Sequence, residues 1–276
     1  MAVAKRKKPA MEEGPAYAAP ALEKGLDILE MLCRSARPLS QKEIADALKR
    51  SVGEIYRMLA CLVSRDYVVQ IGDGYSVTTR LFELAQANPP TQRLLVEAAP
   101  LMQALSAELG QSCHLTVYNQ GRQVVVAKVD SPSGMGFSVR LGAELDVLVS
   151  ASGQVLLAFQ TPETRKLRIE ESVRRQPSHA EPRIERILDS VRAVGFASIV
   201  SVQVRGLSAV SFPILDSQGH AIAALAVPYA ERIDLRQRKL IPEVEKALAA
   251  AARKLTERIG GAAAAQRVSL GKVRAA

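Results

Sequence analysis

The pattern Ser-x-x-Glu occurs twice in a short span, at Ser40-Gln41-Lys42-Glu43 and eleven residues later at Ser51-Val52-Gly53-Glu54. Each is a capping box: the serine hydroxyl accepts the backbone N–H three residues on, and the glutamate carboxylate returns to the serine N–H. Two helix starts this close leave room for one short helix and a tight turn. Ile44, Ala45 and Leu48 supply the buried side of the first helix; Ile55, Met58, Leu59 and Leu62 supply that of the second, which ends near Ser64. Upstream, Leu22, Leu26, Leu29 and Leu32 form one apolar face of a helix that stops at Arg37-Pro38. Downstream, Tyr67–Ile71 and Tyr75–Val77 read as strands joined by Gly72-Asp73-Gly74, residues that tolerate the positive φ of a hairpin turn. Helix, helix, turn, helix, hairpin is the order of a winged helix-turn-helix.

Asn88-Pro89-Pro90 is the clearest break in the body of the chain, since paired prolines cannot continue a helix. It predicts a winged helix over 20–78, a linker over 79–90 and a second domain over 91–260. In the second domain, apolar spacing predicts a helix over 91–109 and a hairpin of Leu115–Tyr118 with Val124–Val129. A further strand is expected at Phe137–Val139 and a short buried helix at Ser152–Phe159. Two amphipathic helices, 163–176 and 183–194, are divided by Pro177 and Pro182. Strands Ser198–Val204, Ala209–Leu215 and Ala221–Val227 follow, and a helix from Pro242 to Ile259 closes the domain. The fold class is therefore α+β, an antiparallel sheet flanked by helices. Residues 1–19 and 261–276 are expected to be disordered arms.

In a helix-turn-helix the second helix enters the major groove of double-stranded DNA with its N-terminal residues near base edges. Here its outward residues are Ser51, Val52, Glu54, Tyr56, Arg57 and Ala60. Arg57 suits guanine or a phosphate and Tyr56 a phosphate; Ser51 and Glu54 suit bases, and Val52 a thymine methyl. Ser40, Gln41 and Lys42 open the preceding helix, where backbone N–H groups grip phosphate. Arg80, just past the hairpin, is placed for a backbone contact. The alternative is a ligand-binding adaptor whose winged helix docks a protein. A net charge of +9 also favours an anionic partner. Counted by segment, however, residues 20–85 are balanced and most of the excess lies near the two ends. Position, not net charge, carries the DNA reading.

The run LSQKEIADALKRSVGEIYRMLACLVSRDYV, followed by GYSVTTRLFELA, resembles the IclR family of bacterial transcriptional regulators. ASGQVLLA and FPILDSQGHAIAALAVPYAERI extend the resemblance to about 20–260. It implies a linker helix and a GAF-like effector-binding domain. It also implies homodimers or dimers of dimers bound at palindromic promoter sites, with repression the commoner mode. By this resemblance the effector pocket uses Ala151, Ser152 and Gly153, with Ala209, Ser211, Ala226 and Pro228 on the last strands. Small side chains there leave space, and N–H groups at a helix start suit a carboxylate, so a metabolite acid with an apolar body is expected. Arg140 is a candidate partner for that acid and His114 a candidate cavity residue. The chain departs from the family in two places. Lys49-Arg50 replaces the usual glycine between the DNA-binding helices, giving either a strained Lys49 or a new phosphate contact. Asp146-Val147-Leu148 and Gln154 replace a Pro-Leu-His stretch and a lysine.

Nothing assembles an active site. His114, His179 and His220 lack metal-ligand spacing, and no G-x-S-x-G motif occurs. No cofactor and no metal are expected. The three cysteines are read as small core residues of a cytoplasmic protein. The basic N-terminus has no apolar run behind it, so it is not read as a secretory signal, and no uninterrupted apolar stretch of about 18 residues predicts a membrane span.

Overall fold

The computed structural model describes residues 19–87, 89–133, 136–231 and 239–261. The chain divides between residues 88 and 89 into two compact units. Both expected arms fall almost wholly outside the described residues.

The first unit runs α1 (Pro20–Arg34), β1 (Leu39–Ser40), α2 (Gln41–Leu48), α3 (Val52–Ser64), β2 (Val68–Ile71), β3 (Gly74–Val77) and α4 (Arg80–Gln86). Both capping boxes close as expected, with Ser40 and Ser51 each accepting the N–H of its glutamate. Ile28, Leu32, Ile44, Ala45, Ile55, Leu59, Val68 and Tyr75 form the core. The face expected on α1 is buried only toward its C-terminal half: Leu22 and Leu26 are exposed, and Ile28 packs instead. The hairpin gains a third strand that the sequence did not announce, β1 pairing antiparallel with β3. Gly74 makes this possible, because a Cβ there would lie 2.7 Å from the Pro38 Cβ. The linker carries helix over Arg80–Gln86, as the resemblance implies.

The second unit opens with α5 (Pro89–Leu109), so the paired prolines begin a helix where a missing N–H costs nothing. β4 (Cys113–Asn119), β5 (Arg122–Val129) and β6 (Glu144–Leu145) follow, then α6 (Ala151–Ala158), α7 (Pro162–Arg175), a 3₁₀ turn at Pro177–His179 and α8 (Ile184–Val194). β7 (Ala197–Val200), β8 (Leu207–Leu215), β9 (Ala221–Ala230) and α9 (Ile241–Arg258) complete it. The six strands form one antiparallel sheet in the order β6-β5-β4-β9-β8-β7.

Three expectations need correction. Phe137–Val139 is not a strand; the chain turns at Gly142, whose N–H donates to the Val125 carbonyl, and only then pairs along β5 as β6. The strand expected to reach Val204 ends at Val200, where the Ser201 hydroxyl accepts the N–H groups of Gln203 and Val204 and bends the chain. Cys33 and Cys61 are exposed; only Cys113 is a core residue, its thiol pushed up to about 12 by burial.

Both faces of the sheet are covered, which is why β9 has no polar-outward alternation. Leu115, Val210, Phe212, Ile214, Leu225 and Val227 pack with Met102, Leu105, Val244, Leu248 and Leu255 of α5 and α9. On the opposite face the strand residues are small, and α6 settles onto them: Val155, Leu156 and Leu157 cluster with Leu188, Val191, Ala197 and Ala224. The small-residue face is the one that can leave space for a ligand.

Candidate functional site: a DNA-reading face and a ligand pocket

The outer side of α3 presents Val52, Tyr56, Arg57 and Ala60 to solvent; Val52 is 51% and Tyr56 58% exposed. Ser51 and Glu54 are differently engaged. The Ser51 hydroxyl accepts from the Glu54 N–H at 3.3 Å and donates to its carboxylate at 3.0 Å. Glu54 also takes the Lys24 ammonium at 2.5 Å. That ammonium first, then the Ser51 N–H and hydroxyl, holds the Glu54 carboxyl down at about 2. Ser40 is bound the same way to Glu43, which Arg37 holds down at about 2. Gln41 spans the two helices, donating to the Val52 carbonyl at 2.9 Å.

The distribution of ion pairs is informative. Lys24, Arg34, Arg37 and Arg80 are each paired with a glutamate, Arg80 with Glu83 at 3.1 Å. Among the described residues of this unit, Lys42, Lys49, Arg50, Arg57 and Arg65 have no such partner; the first four lie on α2, α3 or the turn between them, and Arg65 caps the far end of α3. Cations left unpaired on one recognition element are available to phosphate and base edges.

Lys49 caps α2 in the left-handed region at φ 52°, ψ 46°. Its N–H reaches back to the carbonyls of Ala45 and Asp46, so the turn depends on that conformation. A lysine side chain there costs about 1–2 kcal/mol, part of which glycine's larger unfolded-state entropy offsets. Lys49→Gly is therefore expected to raise stability by about 0.5–1 kcal/mol in denaturant unfolding. If Lys49 touches a phosphate, the same variant lowers the salt dependence of DNA binding by about one unit of slope.

On the second unit, strand register brings the expected pocket residues together. Cross-strand pairing sets His114 beside Ala226, Ala226 beside Ser211 and Ser211 beside Ala197, a row across β4, β9, β8 and β7. Ala209 and Pro228 form the next pair on the same face. The Ser211 hydroxyl is consumed within the sheet, donating to the Leu225 carbonyl at 3.2 Å. Arg140 is exposed in the segment before β6 and is not part of this row. Ala151, Ser152 and Gly153 form the first turn of α6, capped by Ser150, whose hydroxyl accepts the Gly153 N–H at 3.2 Å. The Ala151 and Ser152 N–H groups donate to no other described residue. They are the ones left for an anion. Gly153 has a different constraint: a Cβ there would lie 2.1 Å from the Val147 carbonyl oxygen.

Sequence reasoning missed Thr116, two residues beyond His114 and therefore on the same face. Its hydroxyl and the His114 Nδ1 are buried without a hydrogen-bond partner. Period-two spacing from His114 was the signal. Burial pushes the His114 imidazole down to about 4. The folded protein therefore holds it neutral where the unfolded chain, titrating near 6.5, already takes a proton. The stabilisation that neutral His114 permits is complete above about pH 6.5 and drains away as the pH falls toward 4, by about 3 kcal/mol in all. Urea unfolding between pH 7 and 5 should show this loss in the native chain and not in His114→Leu. Equal slopes in both would refute it.

Two family models match. That described as the IclR helix-turn-helix domain covers residues 21–72, and that described as Bacterial transcriptional regulator IclR C-terminal covers residues 90–257. The chain belongs to the IclR family. It is similar to the HTH-type transcriptional regulator KdgR of Dickeya chrysanthemi, at 28% identity over 70% of this chain and 65% of that protein. It is also similar to the HTH-type transcriptional repressor AllR of Klebsiella pneumoniae, at 25% identity over 82% of this chain and 85% of that one. A solved IclR homolog from Microbacterium hydrocarbonoxydans, complexed with 4-hydroxybenzoate, superposes with a TM-score of 0.69 at 19% identity, over 87% of this chain and 98% of that one. The curated relatives are regulators of transcription, and none of this supports the protein-docking adaptor. IclR membership thus assigns the N-terminal unit to DNA binding and the C-terminal unit to effector control. Among the described residues, no helix is long and apolar enough to cross a membrane, and no group of three or more His, Cys, Asp or Glu is placed to hold a metal.

Proposed function

We propose that this IclR-family chain is a cytoplasmic repressor that binds a palindromic promoter site as a homodimer or dimer of dimers and responds to a small metabolite acid. Lys42, Lys49, Arg50 and Arg57, unpaired at the N-terminal half of α3, on α2 and in their turn, carry the DNA half of this reading. Residues 20–78 act as the reading head, with Arg57, Tyr56 and Val52 at base edges or phosphates. Lys42, Lys49 and Arg50 serve the backbone; Arg80, at the start of α4 just past the wing, joins them on exchanging Glu83 for a phosphate. Ser40, Ser51 and Glu54 act mainly by fixing the helix starts. Residues 91–260 hold the effector, and 79–90 relay its binding.

The effector's apolar body lies against Ala209, Ala226 and Pro228 with His114 and Ser211 alongside, and its carboxylate faces the Ala151 and Ser152 N–H groups. The 4-hydroxybenzoate complex of the solved relative makes aromatic acids the first to try. Such a ligand alters regulation only by favouring one arrangement of the paired heads over another. The test is a gel shift of the full-length chain on its own upstream region, run beside a thermal-shift screen of aromatic and branched acids. A preference for that region over random duplex is expected. An acid that binds is expected to raise the unfolding temperature, by about 2.7 kcal/mol of stabilisation at a hundredfold excess over Kd, and to change the gel-shift affinity. No preference over random duplex sinks the regulator reading; an acid that binds without changing DNA affinity sinks the effector reading.

A further inference from the structure

Each capping box sets a carboxylate at the start of a helix that is to face phosphate. For the helix this is favourable, since the carboxylate takes up an N–H and sits at the positive end of the dipole. Toward DNA it is a like charge, and like charges brought together across an interface oppose binding. In the structure neither carboxylate is bare. Lys24 of α1 meets Glu54 at 2.5 Å across thirty residues of sequence, and Arg37 meets Glu43 at 2.7 Å. The Lys24 pair is the better shielded, its side chains 20% and 33% exposed. Packing explains how Lys24 arrives there: Ile28 and Leu32 of α1 share a core with Ile55 and Leu59 of α3, and Lys24 lies one turn before Ile28 on the same side of α1.

Glu54 also stands three residues before Arg57 on α3, a spacing at which opposite charges pair along a helix. Yet Arg57 forms no ion pair among the described residues; Lys24 occupies the Glu54 carboxylate instead. We propose that Lys24 is a positioning residue for DNA recognition: by holding Glu54 it cancels a negative charge beside the reading face of α3 and leaves Arg57 free for DNA. The inference rests on the reading of α3 as the recognition helix. Ion pairs near a surface contribute little to stability. The consequence of this one is for binding, where each net charge beside the duplex counts through the counterions released.

The test is a charge cycle in the full-length chain, read by fluorescence anisotropy on its own upstream region and on random duplex at several salt concentrations. Lys24→Met leaves one net negative charge at the start of α3. It is expected to weaken binding about three- to tenfold in low salt and to lower the salt slope by about one unit. Glu54→Gln keeps the capping box, because glutamine also serves at that position, and leaves Lys24 as a net positive charge; it should tighten binding by a similar factor. The double variant is neutral again and should return both affinity and slope to the native values. Because net charge acts through phosphates, the same order is expected on both duplexes. If Lys24 merely braces α1 against α3, all three variants bind more weakly than the native chain, and that order overturns the proposal. A double variant as weak as Lys24→Met overturns it too, since Lys24 would then touch the duplex itself. Arg57→Ala is measured alongside. Loss in Arg57→Ala with native binding in Lys24→Met rejects the proposal and keeps α3 as the recognition helix; native binding in both rejects that reading and the proposal with it.

Discussion

Arg57→Ala is expected to weaken binding to the promoter fragment by about ten- to a hundredfold, the worth of one good base or phosphate contact. Stability should not move, because the Arg57 side chain is exposed and makes no ion pair or hydrogen bond among the described residues. The direction of the loss identifies the contact. A base contact weakens the specific site more than random duplex and relaxes preference at one position; a phosphate contact weakens both alike and flattens the salt dependence. Tyr56→Ala, also at an exposed position, is expected to add a smaller loss. Arg34→Ala is the control, since Arg34 is equally charged but pairs with Glu30 at the exposed end of α1. Gel shifts at two salt concentrations distinguish these outcomes. If the Arg57→Ala, Tyr56→Ala double variant binds as the native chain does, α3 is not the recognition helix.

The DNA-reading unit was legible because its instructions are local. Both capping boxes, the Gly72-Asp73-Gly74 turn and the helix periods act over a few residues, and each recurs in the structure. What could not be read was nonlocal: β1 exists only because Gly74 lets Pro38 approach, two segments more than thirty residues apart. The same division explains Leu22 and Leu26. Their spacing defines a helix face correctly, but nothing in the pattern says that the core reaches only the second half of α1.

The sheet face on which the effector was expected was legible in part. Ala209, Ser211, Ala226, Pro228 and His114 share one sheet face because register puts them there, and alternation from any one of them implies its neighbours. The use of each polar group was not legible. Ser211 spends its hydroxyl on the Leu225 carbonyl, and Arg140 lies outside the row, since a side chain's partners depend on strands distant in sequence. The unsatisfied groups His114 Nδ1 and Thr116 Oγ1 are likewise visible only once the sheet has closed.

Gly153 shows how a residue expected at a ligand site can be constrained by something else. Its family position suggests a ligand contact, yet its N–H already caps onto Ser150 and its Cα faces the Val147 backbone. A methyl group at that point would meet the Val147 carbonyl oxygen at 2.1 Å and its Cα at 2.4 Å. These are backbone atoms, so no rotamer change relieves the clash. Asp146 fixes the segment further, its carboxylate accepting the N–H groups of Leu148 and Val149 at 2.7 and 3.0 Å. The remaining escape is to lift α6 off the sheet, where Val155, Leu156 and Leu157 are fully buried. Gly153→Ala is therefore expected to destabilise the C-terminal unit by about 3 kcal/mol, the upper part of the range for overpacking a core. In a unit of this size that lowers the unfolding temperature by about 6–12 °C. Calorimetry of the full-length chain measures it, with Ala151→Gly as a companion expected to cost about 1 kcal/mol or less, the price of glycine in a helix. A Gly153→Ala protein that melts within a degree of the native chain would mean that Val147 yields freely. The glycine would then be explained by a ligand lying against it, and not by the approach of the two backbones.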